Sequence, residues 1–266
     1  MNETHDETSV IARRFLDARR RASPLTGYPG QLPDSLDGAY AIQDAAIAGW
    51  ARPVIGWKVG RIHLPEAERF GADRLAGPIF RQTGAVEDDP EMPVFEGGFA
   101  AAESEFLLRI GHAPSAGKTR FTLDEAADHI DAVHVGIEIA SSPLPSINAL
   151  GPTSVISDFG NNNGILVGPA IARWRDSGFE DWEVVTLIDG REAGRGRARA
   201  FPDGAIGAAR FLLELMARRG IALQPGQWIS SGAVTGVHDA RPGQRVEAHF
   251  DEGYSVSCKL AAARGE

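Results

Sequence analysis

Three glutamates in two short segments are the residues of this chain best suited to chemistry. The apolar run Phe99–Ile110 (FAAAESEFLLRI) predicts a strand, in which side chains alternate between faces. Glu103 and Glu105 then point the same way, about 7 Å apart. Beside residues as apolar as Ala101 and Leu107 these two charges repel. Burial adds a desolvation cost of several kcal/mol unless a proton or a cation compensates. A second predicted strand, Val133–Ala140 (VHVGIEIA), puts Val133, Val135, Ile137 and Ile139 on one face. Glu138 falls on the other, between Gly136 and Ala140, whose small side chains leave room for something to approach. Three carboxylates without a cysteine suit a hard cation, Mg²⁺ or Mn²⁺, with positions left for water and substrate. An E-x-E pair is also commonly the solvated face of an edge strand, so the residues by themselves leave both readings open.

Other segments add polar groups. In Ile55–His63 (IGWKVGRIH), Lys58 stands between glycines and hydrophobic residues. Small neighbours let a ligand come close, and a lysine held there supplies a fixed positive charge to a carboxylate or a developing enolate. The alternative is a lysine whose stem covers apolar surface while its ammonium reaches water. His63 has a structural role as its default. Ser157–Gly164 (SDFGNNNG) holds Asp158, Asn161 and Asn162 in a turn whose amides suit a substrate carboxylate or a water, although turn formation alone accounts for such a cluster. Ser230–Gly236 (SSGAVTG) leaves a strand and offers the Ser231 and Thr235 hydroxyls, with backbone N–H groups, for anion contacts. The chain lacks a nucleophile elbow, a phosphate-binding P-loop, a dinucleotide fingerprint and an H-E-x-x-H helix, which disfavours ATP, nicotinamide and zinc-protease chemistry.

The elements that must position these groups follow from local signals. Helices are expected over Glu7–Arg21 and Ser35–Trp50, the second ended by Pro53. Thr122-Leu-Asp-Glu125 has capping-box spacing and opens a helix running to about Asp131. Val184–Ile188 followed by Asp189-Gly190 signals a hairpin. A helix over Pro202–Arg219 turns Leu212, Leu215 and Met216 inward and ends at Gly220. Strands are expected at Gln227–Ser230, Gln244–Phe250 and Tyr254–Leu260. The pattern divides into an N-terminal helical cap, residues 1–52, and a β-rich catalytic domain, residues 53–266. The fold class is α+β.

Composition bounds the rest. The 266 residues carry 27 Lys and Arg against 36 Asp and Glu, a net charge of −9 with no basic tract, which disfavours nucleic acid and anionic membranes as partners. Cys258 is the only cysteine, so intrachain disulfides and thiolate zinc clusters are excluded. The polar N-terminal stretch reads as no secretory signal, and the apolar runs fall short of the roughly 18 residues of a spanning helix. These features predict a cytoplasmic protein.

Taken together, Gly56-Trp-Lys58-Val-Gly60 with His63, the Glu103-x-Glu105 pair, Gly136-Ile-Glu138-Ile139, Asp158 with its Asn/Gly loop, and Ser231-Gly-Ala-Val-Thr235-Gly236 resemble a known pattern. Their order and spacing resemble the 2-keto-4-pentenoate hydratase / 4-oxalocrotonate decarboxylase group of the fumarylacetoacetate hydrolase superfamily, from the helix around Tyr40 almost to the C-terminus. The resemblance implies a mixed β-roll core with an N-terminal helical portion, and a homo-oligomer. It implies Mg²⁺ or Mn²⁺ held by Glu103, Glu105 and Glu138. Lys58 and Asp158 are implied as catalytic residues, and His63, Asn161, Asn162, Ser231 and Thr235 as substrate-binding. The implied substrates are small 2-oxo or 2-hydroxy-dienoic acids from aromatic-compound degradation. A 2-oxo acid chelates a hard cation through a carboxylate oxygen and its 2-oxo group, and the metal stabilises the enolate.

The chain departs from the typical hydratase at two places. Leu75-Ala-Gly-Pro78-Ile-Phe80 stands where an Asp-Phe-Gly-Thr-like segment carries a proton-transferring aspartate, and Asn161-Asn162 replaces a serine pair. Metal and enolate binding survive this comparison better than water addition does. The leading expectation is a metal-dependent hydratase of a 2-hydroxy-2,4-dienoate. The alternatives are a 4-oxalocrotonate-type decarboxylase, an acylpyruvate-type C–C hydrolase, and a non-catalytic subunit that binds a 2-oxo acid.

Overall fold

The computed structural model describes residues 2–84 and 89–265; the two ends of the expected segments, Met1 and Glu266, lie outside the described residues. Helix α1 (Asn2–Arg20) is followed by α2 (Leu36–Trp50), β1 (Gly56–Arg61), α3 (Glu66–Phe70), β2 (Arg74–Ile79), β3 (Gln82–Gly84) and β4 (Glu91–Val94). The long strands β5 (Phe99–Ile110) and β6 (Ile130–Ser142) flank α4 (Leu123–Asp128). Then come α5 (Pro152–Ser157), β7 (Asn162–Ala170), β8 (Val184–Ile188), β9 (Arg191–Gly196), α6 (Gly204–Arg219), β10 (Trp228–Ser230), β11 (His238–Asp239), β12 (Arg245–Phe250) and β13 (Ser255–Ala262). The strands form two mixed sheets, in the orders β2-β1-β10-β5-β6-β7-β3, with β11 also on β5, and β4-β13-β12-β8-β9. The α+β class follows.

Local chemistry sets the boundaries. The Ser35 hydroxyl caps α2 by accepting from the Gly38 N–H at 3.2 Å. Thr122 and Glu125 form the expected reciprocal capping box, but α4 stops at Asp128 and β6 begins at Ile130, earlier than the helix signal suggested. The reason is pairing: Ile130 already matches Ile110 on β5, and ladder bonds take over where the helix would continue. Asp189 and Gly190 both have positive φ, 50° and 73°, as a two-residue hairpin turn between right-twisted strands requires.

β5 and β6 pair antiparallel along nearly their whole length, and their two faces differ in kind. Ala102, Phe106, Leu108 and Ile110, with Val133, Val135, Ile137 and Ile139, face the second sheet and share one core with Val246, Ala248 and Phe250. Phe106 meets Phe179 and Phe250 edge-on at centroid distances of 4.9 and 5.2 Å. The opposite face carries Glu103, Glu105 and Glu138. Helix α2 fixes the layer above them: Tyr40 Oη accepts from the Ala76 N–H, and the Gln43 amide donates to the carbonyls of Ala76 and Ile156. Ile11, Phe15 and Leu16 of α1 pack with Ile42, Ala46, Leu144, Ile147 and Phe159 in a second apolar cluster. Among the described residues, no helix is long and apolar enough to cross a membrane.

Candidate active site

The β5–β6 register brings the three glutamates together. Glu103 lies directly opposite Glu138, and Glu105 opposite Gly136, so all three carboxylates share one face. One oxygen from each falls within 4.8 Å of the others. Gly136 is required at this crossing: a Cβ there would lie 2.4 Å from the Leu107 side chain and 2.8 Å from the Leu166 carbonyl oxygen. Like charges directly across an antiparallel pair destabilise it, and here they are also out of water. Glu105 and Glu138 are fully buried and Glu103 is 4% exposed. Burial and the neighbouring carboxylates hold Glu105 well above the usual carboxylate range. Burial, opposed by Lys58 and aided by Glu138, pushes Glu103 up to about 7.

Lys58 enters this cluster from β1. Its Nζ lies 3.1 Å from Glu138 Oε1 and donates to Asn161 Oδ1 at 3.3 Å. Burial disfavours its charge, but Glu138, Glu103 and Glu105 outweigh that effect and raise its pKa, so it stays an ammonium. Gly160 makes room for its stem, while Gly60 is not needed for that. A Cβ on Gly160, whose φ is +65°, would lie 2.8 Å from Lys58 Cδ, and one on Gly60 would lie 3.6 Å from its Cε.

The remaining donors are only partly matched. Glu105 Oε2 accepts from Ser230 Oγ and from the Gly232 N–H at 2.9 Å, and Asn162 Nδ2 donates to Glu138 Oε1 at 2.9 Å. Glu105 Oε1 is buried with no hydrogen-bond partner. One ammonium against three carboxylates, with an orphaned oxygen among them, is the donor set a divalent hard cation fits. The sequence places Ser230 in the hydroxyl-bearing segment but not among the expected site residues; its register against Lys58 on β1 and Leu107 on β5 is what delivers it.

The cluster opens on a cavity of about 610 Å³ whose wall includes Lys58, Glu103, Asn161, Ser231 and Thr235. Ser231 Oγ is buried there without a partner. His63 stands exposed on the same wall. Asn161 has a φ of +56° and lends its amide to Asn148 as well as to Lys58. Two of the expected site residues lie elsewhere. Asn162 is absent from this wall and reaches the site only through Glu138. Asp158, expected as a catalytic group, is not brought to the cavity. It accepts from Arg19 at 2.5 and 3.0 Å and from Ser142 Oγ at 2.6 Å, and is 1% exposed. Its geometry is that of an anchor for the loop bearing Asn161 and Asn162.

No protein-family model matches the chain. The sequence is 24% identical over 236 residues to 2-keto-4-pentenoate hydratase 1 of Dechloromonas aromatica (strain RCB), covering 85% of this chain and 86% of that protein. A second hydratase from the same organism matches equally well. Superposition on 4-oxalocrotonate decarboxylase from Pseudomonas putida G7, solved with magnesium and adipate, gives a TM-score of 0.80 at 17% identity, over 96% of this chain and 97% of that one. The chain is thus similar in sequence to 2-keto-4-pentenoate hydratases and shares the fold of 4-oxalocrotonate decarboxylase, in keeping with the resemblance drawn from its motifs. A more distant fold relative is fumarylpyruvate hydrolase from Pseudomonas aeruginosa, in complex with Mn²⁺ and pyruvate, at a TM-score of 0.55, 16% identity and coverage of 78% and 89%.

Proposed function

We propose that this chain is a metal-dependent lyase that hydrates a 2-hydroxy-2,4-dienoate or its 2-oxo-enoate tautomer, as its hydratase relatives are named to do. The observation that supports it is the buried carboxylate triad, with its orphaned Glu105 oxygen, at the floor of a cavity that also holds a buried ammonium. Glu103, Glu105 and Glu138 would hold Mg²⁺ or Mn²⁺. Bound there, the ion supplies Lewis-acid stabilisation of the enolate of a chelating 2-oxo acid. Lys58 supplies a fixed cation beside that oxygen, and its distance from bulk water strengthens the interaction. Asn161 holds the Lys58 ammonium in position, and Ser231 Oγ has its hydrogen-bonding capacity free for a ligand oxygen. The same reading includes a homo-oligomer in the cytoplasm, and a role in aromatic-compound degradation.

A second reading, decarboxylation of a 2-oxo dicarboxylate, is favoured by a specific feature. Leu75 stands on the cavity wall, in the segment that lacks the proton-transferring carboxylate of the hydratase pattern. Beside it, Arg61 and the buried Arg74, whose Nη1 lacks a partner, also line the cavity. An unpaired guanidinium nitrogen suits a second substrate carboxylate. Carbon dioxide release from 4-oxalocrotonate, measured against absorbance loss of the dienoate, separates the two. Hydration is expected to dominate; exclusive carbon dioxide release favours the second reading. Turnover in a chelator, or in Glu103→Gln, rejects both.

A further inference from the structure

A chain of hydroxyls runs from the strand that bears the glutamates to the cavity wall. Ser104 Oγ lies 2.5 Å from Thr186 Oγ1 on β8. Thr186 Oγ1 lies 2.7 Å from Thr235 Oγ1, and Thr235 Oγ1 lies 3.0 Å from His238 Nε2 on β11. Burial fixes most of the hydrogen positions. Ser104 and Thr186 are fully buried, so each O–H must find an acceptor inside the protein. Thr186 is the one hydroxyl partner of Ser104, so Ser104 donates to it, and Thr186 in turn donates onward to Thr235. Thr235 therefore already accepts one bond, and its hydroxyl faces His238, whose ring also meets the Thr235 backbone.

The two outcomes differ in sign. If His238 Nε2 is bare, Thr235 donates to it and offers the cavity only a lone pair. If Nε2 carries a proton, His238 donates, both Thr235 lone pairs are used, and the Thr235 O–H is free for the cavity. The ring is held for this contact: a Cβ on Gly194 of β9 would lie 2.3 Å from His238 Cε1 and 2.5 Å from Nε2, so the hairpin backbone packs flush against it. The Val234 N–H bond to the Ser104 carbonyl, at 3.0 Å, ties the same loop to β5.

We propose that His238 is a positioning residue which, by donating from Nε2, turns the Thr235 hydroxyl into a hydrogen-bond donor for the carboxylate of a bound 2-oxo acid. This rests on the metal-dependent 2-oxo acid reading above. Thr235 is then a ligand contact, and His238 acts through it. Neither Ser104 nor Thr186 touches the ligand; they fill the other side of Thr235.

The test uses the whole chain, with Mn²⁺ and oxalate as probes, in titration calorimetry. Thr235→Val is expected to weaken oxalate binding to the Mn²⁺-loaded protein about tenfold, the loss of one hydrogen bond to a charged group, while Mn²⁺ affinity alone stays within twofold. Thr235→Ser restores oxalate binding. His238→Phe weakens it about threefold, and His238→Gln, which keeps an N–H donor, recovers most of that loss. A ¹⁵N-histidine spectrum of the parent with Mg²⁺ and oxalate should show a protonated His238 Nε2 that Thr235→Val perturbs. Oxalate binding within twofold of the parent in Thr235→Val, or a bare Nε2 in the oxalate complex, overturns this inference alone. A parent that binds neither Mn²⁺ nor oxalate overturns it together with the reading on which it rests.

Discussion

Two buried ionic clusters lie within a few residues of each other in this fold, and they are built on opposite principles. Around Asp158 every charge is matched. Arg19 meets its carboxylate twice, donates to the carbonyls of Ser141, Asp158 and Asn162, and stacks over Phe95 and Phe159 at 5.4 and 5.1 Å. Around Glu105 the charges do not balance: three carboxylates face one ammonium, and one oxygen has no partner. A closed pair has nothing left to offer a ligand, so the first cluster holds a loop. An open one destabilises the empty protein and is relieved by a cation, so the second is a site.

That contrast can be broken at several points. The largest effect belongs to the closed pair. Arg19→Met leaves a buried Asp158 charge uncompensated and is expected to cost about 3–5 kcal/mol in denaturant unfolding. Asp158→Asn should likewise act on stability, with Mn²⁺ binding retained. Loss of Mn²⁺ binding without loss of stability would return Asp158 to the site.

In the open cluster the sign reverses. Divalent cation at a hundredfold excess over its dissociation constant should raise unfolding stability by roughly 2.7 kcal/mol. Glu105→Gln should abolish that gain while leaving the metal-free protein as stable as the parent or more so, because an amide cannot ionise at a buried position that disfavours the carboxylate. A metal-free Glu105→Gln that melts well below the parent contradicts the imbalance.

The pH dependence follows the same logic. Glu103 and Glu105 hold their protons more tightly folded than unfolded, Glu103 with a pKa of about 7. The contribution of these groups is fully present below the ordinary carboxylate pKa of about 4.3 and is lost as pH rises through 7. Metal-free unfolding midpoints should fall between about pH 5 and 7.5, and saturating Mg²⁺ should flatten the fall. Gly160→Ala forces a strained φ and crowds both Lys58 Cδ and the Gly77 backbone; it should lower stability and weaken ligand binding more than metal binding.

How far the sequence reveals this depends on the range of the cause. The shared face of Glu103 and Glu105 follows from the period of one strand, and the burial of Val133, Val135, Ile137 and Ile139 from the alternation of another. The hairpin at Asp189-Gly190 and the end of α6 at Gly220 are local in the same way. The opposition of Glu103 and Glu138 depends on strand register, which neither segment encodes alone. Arg19 lies in the last turn of α1, where nothing local marks it as an ion-pair partner. Its partner is 139 residues away, so Asp158 looks free in the sequence and is closed in the fold. Ser230 and His238 were missed because their contacts also arise from tertiary pairing.

The most direct measurement is anomalous difference density from crystals soaked in Mn²⁺. The expected result is one peak among the carboxylates of Glu103, Glu105 and Glu138, lost in Glu105→Gln crystals. A triad that stays without manganese while the ion binds elsewhere, or a peak that persists in the variant, would contradict the claim that this cluster is built for a divalent cation.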